Sequence, residues 1–194
     1  KTTGYTGYNH LRDYFEQGEK AGRIFLGLKD KYDLDELNAY IKPERDLQFT
    51  YLGIKTLYDR YLIKNSKGEP IELPQQMFMA IAMFLAQNEL DSMGWAKKFY
   101  DLISKFEVML ATPTLSNART TRHQLSSCYV GSAPDNIEGI FDSYTEMALL
   151  SKFGGGIGWD WCNVRAMGGS IDGHKNAAGG VVPFLKIAND IAVA

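Results

Sequence analysis

Cysteine is scarce in this sequence, and its scarcity argues against two classes of protein. The chain of 194 residues has 2 cysteines, Cys128 and Cys162, which are far apart and form no CxxC motif. A disulfide scaffold needs several cysteines, and a structural zinc site needs clustered cysteine and histidine ligands. The sequence therefore predicts a cytoplasmic protein with reduced thiols and no metal site in this chain.

An excess of charge and a long apolar run are also missing. The 21 basic residues are balanced by 23 acidic ones, whereas a surface that binds nucleic acid is usually strongly basic. No apolar stretch reaches the roughly 20 residues that span a membrane, and no signal-peptide pattern opens the chain. We therefore expect neither a nucleic-acid partner nor a membrane location.

Neither end of the chain carries the signals of a natural terminus. The first residue is Lys1, and residues 187–194 stop inside an apolar, helix-like pattern that has no cap. We expect the sequence to be a piece of a longer polypeptide.

The first half of the chain has apolar residues at helical spacing. Helices are expected over residues 11–18 and over residues 45–61. Another helix should begin at the N-cap Asp33, which has Glu36 three residues later. A turn at residues 65–68 is expected to join two short extended pieces.

Two stronger helices should follow, one opened by Pro74 and one capped by Asp91 or Ser92. Their apolar stripes are typical of packing surfaces and not of a cofactor site. We predict a helical N-terminal domain over residues 1–107.

After residue 107, short strands alternate with helices. Strands are expected at residues 108–110 and 125–130, and a helix over residues 136–152 should stop at Gly154. Pro183 should open a last helix. This alternation predicts an α/β fold with parallel strands over residues 108–194, although the strands are too few to close a barrel.

Four short motifs lie in this second half. They are ATPT at 111–114, QLSSCYV at 124–130, KFGGGIG at 152–158 and VRAMGGS at 164–170. In this order and at these spacings they resemble the large (alpha) subunit of class I ribonucleotide reductases, most densely over residues 108–194. The resemblance implies that a mostly helical domain precedes the first strands and helices of the family's ten-stranded α/β barrel.

Cys128 has two interpretations. An unpaired cysteine on a strand is commonly a small buried apolar residue. The resemblance instead implies one of two redox-active thiols that reduce the substrate ribose and become a disulfide, with the second thiol beyond Ala194. Cys162 directly follows the bulky aromatic Trp161 in a position without a role in the family, and we interpret it as structural.

Three residues are implied to contact the substrate. Thr112 precedes a proline, which favours an extended backbone and a fixed hydroxyl at a strand end; otherwise it is an ordinary turn or capping threonine. Ser127 adjoins Cys128. Gly156 lies in a glycine-rich loop that follows a helix, and the absence of a Cβ would allow close approach of a ligand.

Asp135 and Arg165 are implied to bind an allosteric nucleotide. From the residues alone, Asp135 is a candidate N-cap of the helix at 136–152, and Arg165 is suited to bidentate phosphate binding. Asp172 stands where the family pattern has a second basic residue. His174 or Lys175 is a possible substitute for it.

The resemblance also implies partners and cofactors. We expect no covalently bound cofactor, an ATP or deoxynucleotide effector with Mg²⁺, and a radical supplied by a metal-containing small (beta) subunit. Thioredoxin or glutaredoxin would be the reductant. An alpha homodimer is expected, in which Phe141 and Tyr144 are buried by the second chain more than by their own.

Two other functions remain open at this point. One is a nucleotide-sensing module that keeps the effector site and performs no chemistry. The other is a structural helical adaptor, which would leave Thr112, Cys128 and Gly156 unexplained.

Overall fold

The structure is a computed structural model that describes residues 7–152 and 154–193. It divides into two units, residues 1–125 and 126–194. Phe153, which belongs to the glycine-rich motif, and the first six residues, which were expected to be irregular, lie outside the described residues.

The first unit is built mainly from helices. Its described residues form six α-helices: α1 (Leu11–Lys20), α2 (Leu34–Tyr40), α3 (Tyr51–Arg60), α4 (Pro74–Ala86), α5 (Ser92–Ser104) and α6 (Thr112–Asn117). Short 3-10 turns lie at Lys29–Lys31 and Pro43–Gln48. The predicted helices of the first half are therefore confirmed, with the segment 45–61 formed in two pieces.

Helix α4 is the centre of this unit. Residues 77–83 of this helix are all buried, and α4 packs along α5. A helix that is apolar on every side belongs inside a protein, and each large apolar side chain contributes about 1.5–3 kcal/mol when it is fully buried. The predicted packing role of these helices is confirmed.

Local capping signals fix several helix starts. The Asp33 carboxylate accepts hydrogen bonds from the backbone N–H groups of Asp35 and Glu36, both at 3.0 Å. The Asp91 carboxylate accepts one from Gly94 N at 2.9 Å. These side chains satisfy N–H groups that have no partner within the helix, as the sequence predicted.

Residues 108–125 belong to the first unit, whereas the sequence placed them with the α/β domain. The predicted strand at residues 108–110 is wrong, because the backbone there is irregular and leads into α6. The physical reason is packing: Leu110, Leu115 and Ala118 lie against the helical core. No strand lies beside residues 108–110 in the described part of this unit.

The second unit contains a parallel strand pair. Strand β1 (Cys128–Ser132) is followed by helix α7 (Ile137–Lys152), strand β2 (Gly156–Asp160) and helix α8 (Val182–Val193). Cys128 pairs with Gly156, and Ser132 pairs with Asp160. The predicted parallel α/β fold is confirmed, and the two strands of the described residues do not form a closed sheet.

The two ends of α7 are set by different residues. The Asn136 side chain accepts a hydrogen bond from Gly139 N at 2.8 Å and is the N-cap. The prediction that Asp135 caps this helix is therefore wrong, because its carboxylate is held by Arg165 instead. At the other end, Gly154 has φ +82° and donates to Ser151 O, while Gly155 donates to Leu150 O, which is a Schellman ending.

The expectation for Tyr144 is also wrong. Its side chain is 4% exposed and packs in the core of its own unit, where its hydroxyl donates to Phe184 O at 2.8 Å. Phe141, on the same helix, is 53% exposed. The apolar stripe of α7 therefore turns Tyr144 inward and leaves Phe141 at the surface.

None of the helices among the described residues is long and apolar enough to cross a membrane.

Candidate functional site

The strand pair has one exposed face and one packed face. The half-buried side, which α7 covers, carries Tyr129, Ile157 and Trp159. The residues that alternate with them along the strands face outward. Since side chains alternate along a strand, the outward positions are Cys128, Val130 and Ser132 on β1, and Gly156, Gly158 and Asp160 on β2. The Cys128 thiol therefore lies on the exposed face.

Three predicted residues meet at the start of this face. The Gly156 N–H donates to Ser127 O at 2.6 Å, and the Ser127 hydroxyl lies 3.6 Å from the Cys128 sulfur. A Cβ on Gly156 would lie 3.4 Å from Ser127 O and 3.9 Å from Cys128 Sγ. The glycine thus leaves open the space directly beside the thiol.

Thr112 occupies a different setting from the predicted strand end. It lies in the first turn of α6, where Pro113 follows it and Ala111 takes the extended N-cap conformation. Proline fits the first turn of a helix because its missing N–H is not needed there. The Thr112 hydroxyl is 3.1 Å from the Tyr61 hydroxyl.

Cys162 lies just past the far end of the strand pair. Cys128 pairs with Gly156 at the start of β2, and β2 ends four residues later at Asp160. Four residues of strand span about 13 Å. A disulfide needs Cα atoms within about 7 Å, so this geometry does not favour a bridge between the two cysteines. A hydrogen bond to Asp160, together with its charge, raises the pKa of the Cys162 thiol, which makes it a poorer nucleophile.

Asp135 and Arg165 form an ion pair with each other. The Asp135 carboxylate accepts from Arg165 N at 3.0 Å and from Arg165 Nε at 2.8 Å. The guanidinium also donates to the carbonyls of Ser170, at 2.7 Å, and Asp135, at 3.2 Å. The backbone N–H of Arg165, and after it the guanidinium, hold the pKa of the Asp135 carboxyl below its usual value.

This ion pair lines a cavity of about 410 Å³ in the second unit. Asn136 and Glu138 at the start of α7 form one part of the wall, and Asp172 and Gly180 form another. A cavity of this size is within the usual range for a small-molecule site. His174 and Lys175, the suggested substitutes for the missing basic residue, are exposed and do not line this cavity.

A buried polar network in the first unit was not predicted. Arg119 and Glu72 form an ion pair, and Arg119 Nε lies 2.9 Å from Glu72 Oε2. Arg119 also donates to Leu115 O at 2.6 Å and to Tyr61 O at 2.9 Å. A single arginine among polar residues carries no sequence signal for complete burial, since arginine is usually exposed.

Comparisons with known proteins agree with this arrangement. Residues 47–123 match the family described as "Ribonucleotide reductase, all-alpha domain", and residues 126–194 match "Ribonucleotide reductase, barrel domain". The change from one match to the other falls where the structure divides into its two units.

Individual relatives carry the same family name. The ribonucleoside-diphosphate reductase subunit alpha of Helicobacter pylori (strain ATCC 700392 / 26695) is 69% identical over 194 residues, which are 100% of this chain and 25% of that subunit. The subunit alpha of Treponema pallidum is 44% identical over 180 residues, 91% of this chain and 21% of that subunit. The large subunit of Monkeypox virus is 42% identical over 170 residues, 87% of this chain and 21% of that subunit.

The fold and the matches together define the class: a helical domain followed by the first strands of an α/β barrel. The chain belongs to the ribonucleotide reductase large-subunit family, which confirms the predicted family and fold. It spans about a quarter of the length of the Helicobacter pylori subunit that it matches.

Proposed function

We propose that this chain is the part of a ribonucleoside-diphosphate reductase alpha subunit that carries one reducing thiol and the effector site. The observation that supports this most directly is the group of Ser127, Cys128 and Gly156 at the start of the strand pair. An exposed thiol lies there beside a position without a side chain, as a site that reduces a bound sugar requires.

The reaction is a two-electron reduction. The 2′-hydroxyl of the ribose leaves as water, and a hydrogen takes its place at C2′. Two thiols supply the two electrons and two protons and become a disulfide, with Cys128 as one of them. A thiyl radical, formed with the help of the metal-containing small subunit, starts the reaction, and thioredoxin or glutaredoxin resets the disulfide by thiol exchange.

The remaining thiols of the reaction are proposed to lie outside residues 1–194. Cys162 is a poor candidate, because it lies past the far end of the strand pair. A reducing cytoplasm would keep Cys128 available as a thiol between turnovers.

Substrate contacts are assigned to Thr112, Ser127 and Gly156. The hydroxyls can donate to the acceptor oxygens of the nucleotide, and Gly156 leaves room for it beside the sulfur. The local geometry of Ser127 and Gly156 around Cys128 supports this assignment.

The effector site is assigned to the cavity lined by Asp135 and Arg165. A deoxynucleoside triphosphate or ATP would bring Mg²⁺ on its phosphates. The described residues contain no group of three or more His, Cys, Asp or Glu side chains that could hold a metal ion alone. Arg165 is already oriented by Asp135 and Ser170, so it can meet a phosphate with little reordering.

We also propose an alpha homodimer, with Phe141 as the exposed apolar residue of α7 that a second subunit would cover. Tyr144 has no part in this contact, since it is buried in its own unit.

The test uses the full-length alpha subunit that carries this segment, assayed with its small subunit. In Cys128→Ser, turnover supported by thioredoxin should fall to background while nucleotide binding persists, because serine keeps the size but cannot form a disulfide. Cys162→Ser is the matched control and should turn over normally.

Normal multiple turnover in Cys128→Ser would contradict the catalytic role. If that variant also kept a functional effector site, the segment would be better described as a nucleotide-sensing module without chemistry.

A further inference from the structure

Two hydroxyl groups meet on the wall of a cavity in the first unit. The oxygens of Tyr61 and Thr112 are 3.1 Å apart, a distance at which either can donate to the other. Both residues line a cavity of about 610 Å³, whose other walls are mostly apolar side chains such as Phe49, Leu57 and Met109. A polar pair in an apolar wall is the kind of feature that orients a ligand.

Hydrogen bonds within the first unit fix the backbone segments that carry Tyr61 and Thr112. Tyr61 directly follows α3, and its N–H donates to Leu57 O at 2.9 Å. Its carbonyl accepts from Arg119, and the same guanidinium donates to Leu115 O in α6, the helix that begins with Thr112. One buried side chain therefore holds the segments that carry both hydroxyls.

Hydrogen-bond chemistry decides which hydroxyl has to donate. A threonine hydroxyl has one proton, and the oxygens of a diphosphate only accept. Thr112 can bind such an oxygen only if its proton is not used on Tyr61, so the tyrosine must be the donor of the pair. A chain of donors from Tyr61 to Thr112 to the ligand also strengthens each of its bonds.

We propose that Tyr61 is a positioning residue that donates to the Thr112 hydroxyl and directs the threonine proton to an acceptor oxygen of the bound ribonucleotide. This rests on the proposed function, in which Thr112 contacts the substrate. Tyr61 itself acts through Thr112 and touches no reacting atom.

The experiment measures KM and kcat for a ribonucleoside diphosphate with the full-length alpha subunit and its small subunit. Tyr61→Phe should raise KM about 2- to 10-fold, the usual effect of losing one hydrogen bond, with kcat within about twofold. Thr112→Val should raise KM about tenfold or more, and Thr112→Ser, which keeps the hydroxyl, should restore most of the affinity.

A double-mutant cycle separates positioning from a general structural effect. If Tyr61 acts through Thr112, Tyr61→Phe should add no further rise in KM to Thr112→Val. The matched control is Tyr58→Phe on α3, the helix that Tyr61 follows; the Tyr58 ring lies 4.7 Å from the Lys64 ammonium, and this variant should leave KM unchanged.

The outcomes distinguish the two proposals. An unchanged KM in Thr112→Val would overturn the substrate contact itself. A raised KM in Thr112→Val with an unchanged KM in Tyr61→Phe, or with independent effects in the double variant, would overturn the role of Tyr61 alone.

Discussion

The Arg119–Glu72 ion pair offers a stability test in the first unit. The Arg119 side chain is 0% exposed, and its guanidinium serves the Glu72 carboxylate and the carbonyls of Leu115 and Tyr61. Burial alone would lower the pKa of Arg119, but the charge and hydrogen bonds of Glu72 outweigh it and raise that pKa. The arginine is therefore charged, and its removal leaves a buried carboxylate without its counter-charge.

The expected magnitude follows from the partners that lose a bond. Removing one member of a buried ion pair costs about 3–5 kcal/mol. In Arg119→Met the Leu115 and Tyr61 carbonyls also lose their donor, so the loss should fall at the upper end of that range. Against a typical domain stability of about 5–15 kcal/mol, the variant should be marginally stable.

A second substitution should restore part of this loss. In Arg119→Met with Glu72→Gln, no buried charge remains. The new amide can still accept from Ile63 N and can donate to the Tyr14 hydroxyl, the two groups that bond to Glu72 at 2.7 and 2.8 Å. We expect the double variant to be about 1–3 kcal/mol more stable than Arg119→Met alone.

Urea unfolding followed by circular dichroism at helical wavelengths measures these differences. Lys55→Met is the control, because it breaks an exposed ion pair with Asp59 and should cost at most about 0.5 kcal/mol. The reasoning is refuted if Arg119→Met costs no more than this control. It is also refuted if the double variant is no more stable than Arg119→Met alone.

Three further predictions concern the second unit. Gly156→Ala should fold but raise KM for the ribonucleotide at least about tenfold, while Gly158→Ala, on the same exposed face, should not; equal KM values would remove the argument for close approach at Gly156. Arg165→Ala should weaken binding of a deoxynucleoside triphosphate about tenfold, the cost of a charge-assisted hydrogen bond, and equal affinity by calorimetry would contradict the effector assignment. The Asp135 carboxyl, followed by NMR, should titrate below its ordinary pKa, so its contribution to stability is present above that ordinary value and is lost as pH falls through the lowered one. Arg165→Ala keeps the backbone N–H that bonds to this carboxylate and removes the guanidinium, so the pKa should rise part of the way, and an unchanged pKa would show that the guanidinium is not a cause.

Elements with local signals were predictable from the sequence. The caps Asp33 and Asp91 act on N–H groups two or three residues away, so the information lies within one helical turn. The parallel strands around α7 were predictable for the same reason, because apolar periodicity and glycines mark where each element stops.

Features that depend on distant residues were not predictable. Asp135 resembles an N-cap, but Arg165, 30 positions later, takes its carboxylate and leaves Asn136 to cap α7. The apolar run at residues 108–110 resembles a strand, yet no partner strand lies beside it in the described part of the first unit. In the sequence, Arg119 cannot be told from a surface arginine, because its burial depends on the ion pair with the distant Glu72.

The glycines around the strand pair differ in whether packing or backbone conformation requires a glycine at that position. A Cβ on Gly131 would lie 2.4 Å from the Trp159 ring, so packing explains that glycine, and the positive φ of Gly154 explains the helix ending. Gly156 has neither a positive φ nor a neighbour closer than 3.4 Å to an added Cβ. Glycine weakens a strand relative to residues with a side chain. Gly156, opposite Cys128, therefore lowers the stability of the strand pair without a compensating contact. Gly158 on the same face is equally unconstrained, but of the two glycines it is Gly156 that lies beside the Cys128 sulfur, so the proposal of ligand space is made for Gly156 and Gly158→Ala serves as its control.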